Sequence, residues 1–265
     1  MRNWKHIVAT TIFGLLLAGV LVVAYLLGRK ERSEIICRRI IVTVKDSLTT
    51  RFVTGNAVKS YLALEYRGLT GTPIDSIDLH RIEKILDNKS AIYKSQAFTT
   101  RNGALNIKVT QRKPAIEFKA RGYGFYCDIE GYLFPLQANA ATDIIVIEGM
   151  LPLDVQDCNQ DHPLDPSDRV WLNNMLEFTR VINSEIFWKE RIGRINCDID
   201  GNLVINSKIG EEKFLLGKAE DIMKNLEKIR LYYDKIIPDK GEGTYETVDL
   251  RFKNQIICKK KEENI

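Results

Sequence analysis

The chain has 265 residues, of which 45% are hydrophobic, and it carries a formal net charge of +4 at pH 7. This hydrophobic content excludes general disorder, and because the 39 basic residues are interspersed with 35 acidic ones, a nucleic-acid-binding surface is not indicated. The length suffices for one large domain, or for two smaller domains that each have a hydrophobic core.

The first predicted element is an apolar run at residues 7–27 that contains no charged residue. A helix over this run is about 31 Å long, which matches the thickness of a bilayer core. A cleaved signal peptide usually has a shorter apolar stretch and a small-x-small cleavage site. The run therefore predicts an uncleaved transmembrane helix, preceded by residues 1–6 and followed by a linker at residues 28–34. Basic residues flank it on both sides, so charge does not decide its orientation.

A first folded unit is predicted over residues 35–113. Its first strand is rich in β-branched residues, and Thr54 is a suitable N-cap for the helix that follows. Three strands with two helices on one face suffice for a small core. The predicted order is strand, helix, helix, strand, strand, at residues 35–45, 54–66, about 79–86, 92–100 and 105–111.

A second, β-rich unit is predicted over residues 114–260, followed by a short tail at residues 261–265. Its two helices are expected at about residues 168–188 and 218–237, where apolar residues recur with helical spacing. Alternating apolar residues and intervening turns predict the strands. These are a hairpin at residues 125–134 and strands at residues 143–148, 192–199, 203–207, 213–216, 245–252 and 255–260.

One five-residue phrase occurs twice in this second unit. Cys127-Asp-Ile-Glu-Gly131 returns almost unchanged as Cys197-Asp-Ile-Asp-Gly201. Both copies fall where a hairpin turn is predicted. Either the same turn is used twice or the repetition is a coincidence, and the sequence leaves both interpretations open.

The chain has five cysteines, an odd number, and no Cys-x-x-Cys pair. At least one thiol is therefore free or bridged to another molecule. Four of the five lie in runs that are typical of strands, where cysteine most often serves as a small buried apolar residue. These four are Cys37, Cys127, Cys197 and Cys258.

No catalytic or cofactor-binding motif occurs in the chain. It has three histidines, and it lacks the H-E-x-x-H, G-x-S-x-G and phosphate-loop patterns. The sequence therefore predicts a protein that is not an enzyme, with no cofactor, no metal and no small-molecule substrate. A membrane-anchored cell-wall enzyme is the less favoured alternative, since a catalytic site assembled in space can escape sequence inspection.

The order of these parts resembles the bacterial cell-division family FtsQ/DivIB. The first unit, which ends on Arg112-x-Pro114, resembles a POTRA module, and the second resembles the family's β domain. The resemblance implies an α+β fold with one N-terminal transmembrane helix, a β-α-α-β-β module, and a larger mixed β domain with flanking helices and a C-terminal edge strand. It is carried by Tyr126-Cys127-Asp128-x-x-Gly131-Tyr132-Leu133-Phe134-Pro135-Leu136, Phe214-Leu215-Leu216-Gly217 and Val248-Asp249-Leu250-Arg251-Phe252.

What the resemblance implies is a non-enzymatic scaffold of the divisome that links proteins for septal cell-wall synthesis. Such proteins sit in the inner membrane at the septum, with a cytoplasmic N-terminus and the folded domains outside the cytoplasm. The family's β domain binds FtsB-like and FtsL-like division proteins, and the POTRA module can contact other divisome members. A POTRA-bearing accessory of outer-membrane protein assembly or transport is the alternative, although that class typically repeats the module or ends in a barrel.

In the family, partners bind mainly at the C-terminal edge strand, which corresponds to residues 255–260 here. An edge strand presents unpaired N–H and C=O groups that a partner strand can complete. The lysines there either attract an acidic partner or guard the edge against aggregation. In the preceding strand, Val248, Leu250 and Phe252 are expected to point inward. The candidate partner-binding residues are Arg194, Tyr245, Val248, Leu250, Arg251, Phe252, Ile256, Ile257, Cys258 and Lys259.

Overall fold

The computed structural model describes residues 11–25, 35–45, 52–66, 68–120, 122–136, 144–153 and 165–261. The chain separates into two compact units, Met1–Gln111 and Arg112–Ile265. Each unit has its own sheet, of three strands in the first and nine in the second.

Residues 11–25 form a helix, α1, whose side chains are all exposed. No helix within the described residues combines the length and the hydropathy needed to cross a membrane. Both ends of the predicted transmembrane run, residues 7–10 and 26–27, lie outside the described residues, as do residues 1–6 and the linker at residues 28–34.

The first unit has the predicted β-α-α-β-β order. Its sheet has the order β1-β3-β2, with β1 parallel and β2 antiparallel to the central strand. Thr54 and Asp78 cap the two helices by accepting hydrogen bonds from the amides of Ala57 and Arg81. The elements are β1 (Arg39–Lys45), α2 (Gly55–Glu65), α3 (Leu79–Asp87), β2 (Ile92–Thr100) and β3 (Ala104–Gln111).

The core of the first unit follows the predicted periodicities. Val58 and Leu62 of α2 and Ile82 and Leu86 of α3 are fully buried. They lie one helical turn apart on each helix, so each helix presents one apolar stripe. The first strand begins at Arg39 rather than at residue 35, because Ile36 forms only an isolated bridge to Pro73.

The second unit is built on one mixed sheet with the order β12-β11-β10-β9-β8-β7-β4-β5-β6. Strands β4, β7 and β8 are parallel neighbours at its centre, and β12 is one edge. The sequence did not predict β4, which begins on Pro114. The strands are β4 (Pro114–Ala120), β5 (Tyr123–Asp128), β6 (Leu133–Pro135), β7 (Ile145–Gly149), β8 (Ile192–Cys197), β9 (Leu203–Ser207), β10 (Lys213–Gly217), β11 (Tyr245–Asp249) and β12 (Ile257–Lys260).

Helices pack their apolar residues into one core with the sheet of the second unit. The helix predicted over residues 168–188 is divided at Glu185, whose backbone is extended. The helix predicted to start at residue 218 starts at Ile222 and continues through a π-helical turn. The helices are α4 (Pro166–Ser184), α5 (Ile186–Arg191), α6 (Ile222–Leu231), the π turn (Tyr232–Ile236) and α7 (Ile237–Lys240).

The π turn has a packing consequence. Tyr232 and Tyr233 are consecutive in sequence, yet both are buried, at 0% and 9% exposure. Their rings pack edge-on or tilted against Phe214 of β10, with centroids 5.3 and 5.8 Å away. A π turn inserts an extra residue into the helix, and here it accompanies the burial of two adjacent aromatic side chains behind the sheet.

Candidate partner-binding edge

Strand β12 is the edge of the nine-stranded sheet next to the C-terminus. It pairs antiparallel with β11, from Asp249↔Ile257 to Tyr245↔Lys260, and β11 pairs parallel with β10. No described strand pairs with its other side. That side is a row of backbone groups that an incoming strand can use.

The opposite edge of the sheet is a poorer template. Strand β6 has only three residues, Leu133–Pro135, and the last of them is a proline. Short edge strands and edge prolines are the usual means by which a sheet blocks further pairing. The two edges of this sheet are therefore unequal, and β12 is the more open one.

The turn that leads from β11 into β12 is held in place by charged side chains. Lys228 of α6 donates hydrogen bonds to the carbonyls of Leu250 and Phe252, the second at 2.9 Å. Arg251 makes a two-bond ion pair with Asp249, with distances of 2.9 and 2.6 Å. The hydrogen bonds from Arg251 hold the pKa of Asp249 below its ordinary value. These contacts fix the point at which β12 begins.

The exposed side chains of β12 are partly apolar and partly cationic. Ile257 is 46% exposed, and Lys259 and Lys260 are exposed. Lys259 lies 3.0 Å from Glu246 of β11, an exposed ion pair of the kind that is worth about 0 to 1 kcal/mol. Cys258 turns the other way and packs against the core, and burial raises the pKa of its thiol.

Most of the sequence-predicted residues gather at this edge, but in different layers. Arg251, Phe252, Ile257 and Lys259 are exposed, and Ile256 and Cys258 are half-buried. Phe252, expected to point inward, is 48% exposed, because β11 ends at Asp249 and the chain has already turned. The remaining residues at this edge are buried and support the strand from beneath: Tyr245, Val248 and Leu250.

Arg194 does not belong to this cluster. It lies on β8, four strands from β12 in the sheet order. At about 4.8 Å per strand this is a separation of roughly 19 Å across the sheet. Its guanidinium is 3.4 Å from the carboxylate of Glu148 on β7. The family resemblance that suggested Arg194 gave no information on this distance.

Sequence inspection missed two residues that shape this edge. Lys228 precedes the carbonyls it binds by 22 and 24 positions, and Glu246 pairs with a lysine of the neighbouring strand. Neither belongs to a recognisable motif, so no sequence signal could have identified them. Within the described part of the chain, no group of three or more His, Cys, Asp or Glu side chains could hold a metal ion.

Two family models match the chain. The model described as "FtsQ/DivIB, C-terminal related" matches residues 113–259, which is more than half of the chain. The model for the POTRA-like domain matches residues 35–110. No curated protein matches the chain in sequence.

Proposed function

Because this chain belongs to the FtsQ/DivIB-related family, we propose that it is a non-enzymatic scaffold of the cell-division machinery. The open β12 edge is the single observation that supports a binding role most directly. A POTRA-like domain alone would also suit an accessory of outer-membrane protein assembly. The match over residues 113–259 favours division instead.

The proposed partners are FtsB-like and FtsL-like division proteins that add an extended segment to β12. Main-chain hydrogen bonds to the free side of the strand supply affinity, and side chains that alternate along it supply specificity. An apolar residue of the partner would cover Ile257, and acidic residues would approach Lys259 and Lys260. Tyr245, Val248 and Leu250 would act indirectly, by holding the strand in position.

The apolar run at residues 7–27 is proposed to anchor the protein in the inner membrane. Helix α1 covers its central part, and every residue of that helix is exposed. The folded units would then lie outside the cytoplasm at the septum, with residues 1–6 in the cytoplasm. A reporter fused after Ile265 tests this orientation, because a reporter active only in the cytoplasm contradicts it.

Proline substitution tests strand addition directly. Adjacent residues of a strand direct their N–H groups to opposite sides. Of the two variants Ile257→Pro and Cys258→Pro, one therefore removes an N–H that faces the incoming partner strand, and the other removes an N–H that bonds to β11. We expect both variants to lose capture of the FtsB-like protein in a pull-down. Only one of them should also lose stability in urea, and undiminished capture by the stable variant contradicts strand addition.

A charge substitution supplies a matched control. Ile257→Glu should weaken partner binding at least about tenfold, a change of about 1.4 kcal/mol. Ile129→Glu alters a 75% exposed isoleucine on the β5–β6 turn and should leave affinity unchanged. Equal losses in both variants would move the binding surface away from β12.

Depletion tests the role in the cell. A division scaffold is needed to complete the septum, so cells depleted of the protein should form filaments with unfinished septa. Normal division on depletion would reject the proposal, whatever the binding experiments show.

A further inference from the structure

The parallel strands β7 and β8 are paired at their ends but not at their beginnings, where they form a fork. These parallel strands are paired from Ile147↔Ile195 to Gly149↔Cys197. Continued in register, the pairing would join residues 144–146 to residues 192–194. The described ladder does not include them, and all six residues line a cavity of about 310 Å³.

A bulge accounts for this fork. The pairing of β8 with β9 shifts register between Ile192 and Ile195, which bends the beginning of β8. On the other side, Ile145 remains paired with β4. The two strands therefore diverge at the cavity, and within the interrupted ladder the carbonyl of Arg194 accepts a hydrogen bond from the side-chain amide of Asn206 at 3.2 Å.

The cavity combines an apolar floor with a cationic rim. Ile182 of α4 and Ile192 of β8 are buried at its floor. Lys189, Arg194 and Lys208 line it as well, and none of the ten lining residues is acidic.

The polar contacts of Lys208 and Arg194 leave room for an anion, and Lys189 is exposed. Lys208 donates to the carbonyl of Lys189 at 2.8 Å, which does not neutralise its charge. Arg194 is 3.4 Å from the carboxylate of Glu148, with its side chain 58% exposed. An exposed pair at this distance is weak and can share the guanidinium with a second carboxylate.

We propose that this fork binds a free short peptide by its C-terminal residue. The terminal carboxylate lies among the three cations, the last apolar side chain rests on the isoleucine floor, and the peptide backbone bonds to the open ladder. A volume of about 310 Å³ is near the lower end of ligand pockets, about 300 to 1,000 Å³, and suits two residues rather than a folded partner. This site is independent of the β12 edge and of the proposed division role.

Calorimetric titration of the full-length chain in detergent tests the ligand class. The probe is N-acetyl-Ala-Val with a free carboxylate, and its C-terminal amide is the matched comparison. The acid should bind, and the amide should bind at least about tenfold more weakly, because it cannot form charge-assisted bonds to the rim. Equal binding of both, or no heat from the acid up to millimolar concentration, overturns the proposal.

Two pairs of variants test the location. Asn183→Glu places a carboxylate at the rim and should reduce binding of the acid peptide at least tenfold, whereas Asn183→Gln should not. Lys208→Gln should weaken binding, whereas Lys213→Gln, which removes an exposed lysine that does not line the cavity, should not. Wild-type binding by Asn183→Glu, or equal loss in the two lysine variants, overturns the proposal. Retained capture of the FtsB-like protein by these variants separates this test from that of the β12 edge.

Discussion

The β5–β6 and β8–β9 turns have nearly the same sequence and the same internal hydrogen bonds. Oδ1 of Asp128 accepts from the amides of Glu130 and Tyr132, both at 2.9 Å. Oδ1 of Asp198 accepts from the amides two and four residues later, at 2.9 and 2.8 Å. Gly131 and Gly201 both have positive φ, 84° and 74°. The repeated phrase is therefore a repeated turn, which an Asp side chain and a left-handed glycine suffice to specify.

The two turns differ in the partner of the second carboxylate oxygen, Oδ2, of the aspartate. Oδ2 of Asp128 is 2.6 Å from Arg112, and the side chains of this pair are only 5% and 10% exposed. The Arg112 guanidinium also stacks on the Tyr132 ring, 3.5 Å from its centroid. Oδ2 of Asp198 accepts instead from the side-chain amide of Asn202 at 3.0 Å, in an exposed position. The same turn therefore contains a buried ion pair at Asp128 and only exposed hydrogen bonds at Asp198.

The largest expected difference is in stability. Asp128→Asn keeps a turn acceptor but removes the buried negative charge that faces the Arg112 guanidinium, which should cost about 3 to 5 kcal/mol of unfolding free energy. Asp198→Asn makes the same chemical change at an exposed site and should cost about 0 to 1 kcal/mol. Urea denaturation of both variants measures the difference. Equal costs would mean that the Asp128–Arg112 pair contributes no more than a surface contact.

Cys127 and Cys197, which precede the two turn aspartates, should react more slowly than an exposed cysteine and at different rates from each other. Burial, followed by the charge of the adjacent aspartate, raises the pKa of Cys127 and raises that of Cys197 to about 11. At pH 8, Cys197 should therefore carry roughly two-hundredfold less thiolate than an exposed cysteine with a pKa of about 8.5. Burial raises the pKa of Cys127 more than that of Cys197, and Lys218 lowers the pKa of Cys197, so Cys197 should be alkylated faster than Cys127.

Alkylation by iodoacetamide, mapped by mass spectrometry, measures both rates. The Cys197 rate should rise about tenfold per pH unit below its pKa. Protein unfolded in urea is the control, in which both cysteines should react alike. A native Cys127 that reacts faster than Cys197 would contradict the difference in burial.

The smallest expected effect concerns acid stability. Desolvation favours the protonated form of Asp198, but hydrogen bonds from the side chain and amide of Asn202 and from the amide of Asp200 outweigh it and lower the pKa. Since the folded-state pKa lies below the unfolded value of about 3.9, the ionised carboxylate stabilises the protein above that pH. This contribution is lost as the pH falls through the folded-state pKa.

Asp198→Asn should therefore have a slightly lower urea midpoint than the wild-type protein at pH 5. The difference should shrink toward zero as the pH approaches 2. Urea titrations at several pH values measure it. A difference that stays constant over this range would show that the Asp198 charge makes no contribution.

The errors in the predicted elements lie where the chain makes contacts with distant residues. The helix over residues 168–188 looks continuous by periodicity, yet it is divided at Glu185, whose carboxylate lies 2.5 Å from Arg230 on a different helix. Strand β4 was missed because it begins on proline, and its partners are β5 and residues 145–148 of β7. Inspection of neighbouring residues could not reveal either contact.

For the candidate edge, the sequence predicted the strand itself but not its neighbours in the sheet. Alternation and position indicated residues 255–260 as the last strand, and β12 occupies Ile257–Lys260. That Arg194 lies four strands away, and that β6 is the blunter edge, depends on the strand order. The fork between β7 and β8 was not predicted at all, because it results from a bulge that β8 forms against β9.

By itself, the sequence determined the two turns, the helix caps, the apolar faces of most helices and the family to which the chain belongs. These features depend on hydrogen bonds and side-chain periodicities among residues within a few positions of each other. Only the tertiary structure decided which strands are neighbours, which edge is open and which aspartate is buried with an arginine. Those outcomes depend on how distant segments share one core, where burial and pairing are chosen for the whole sheet at once.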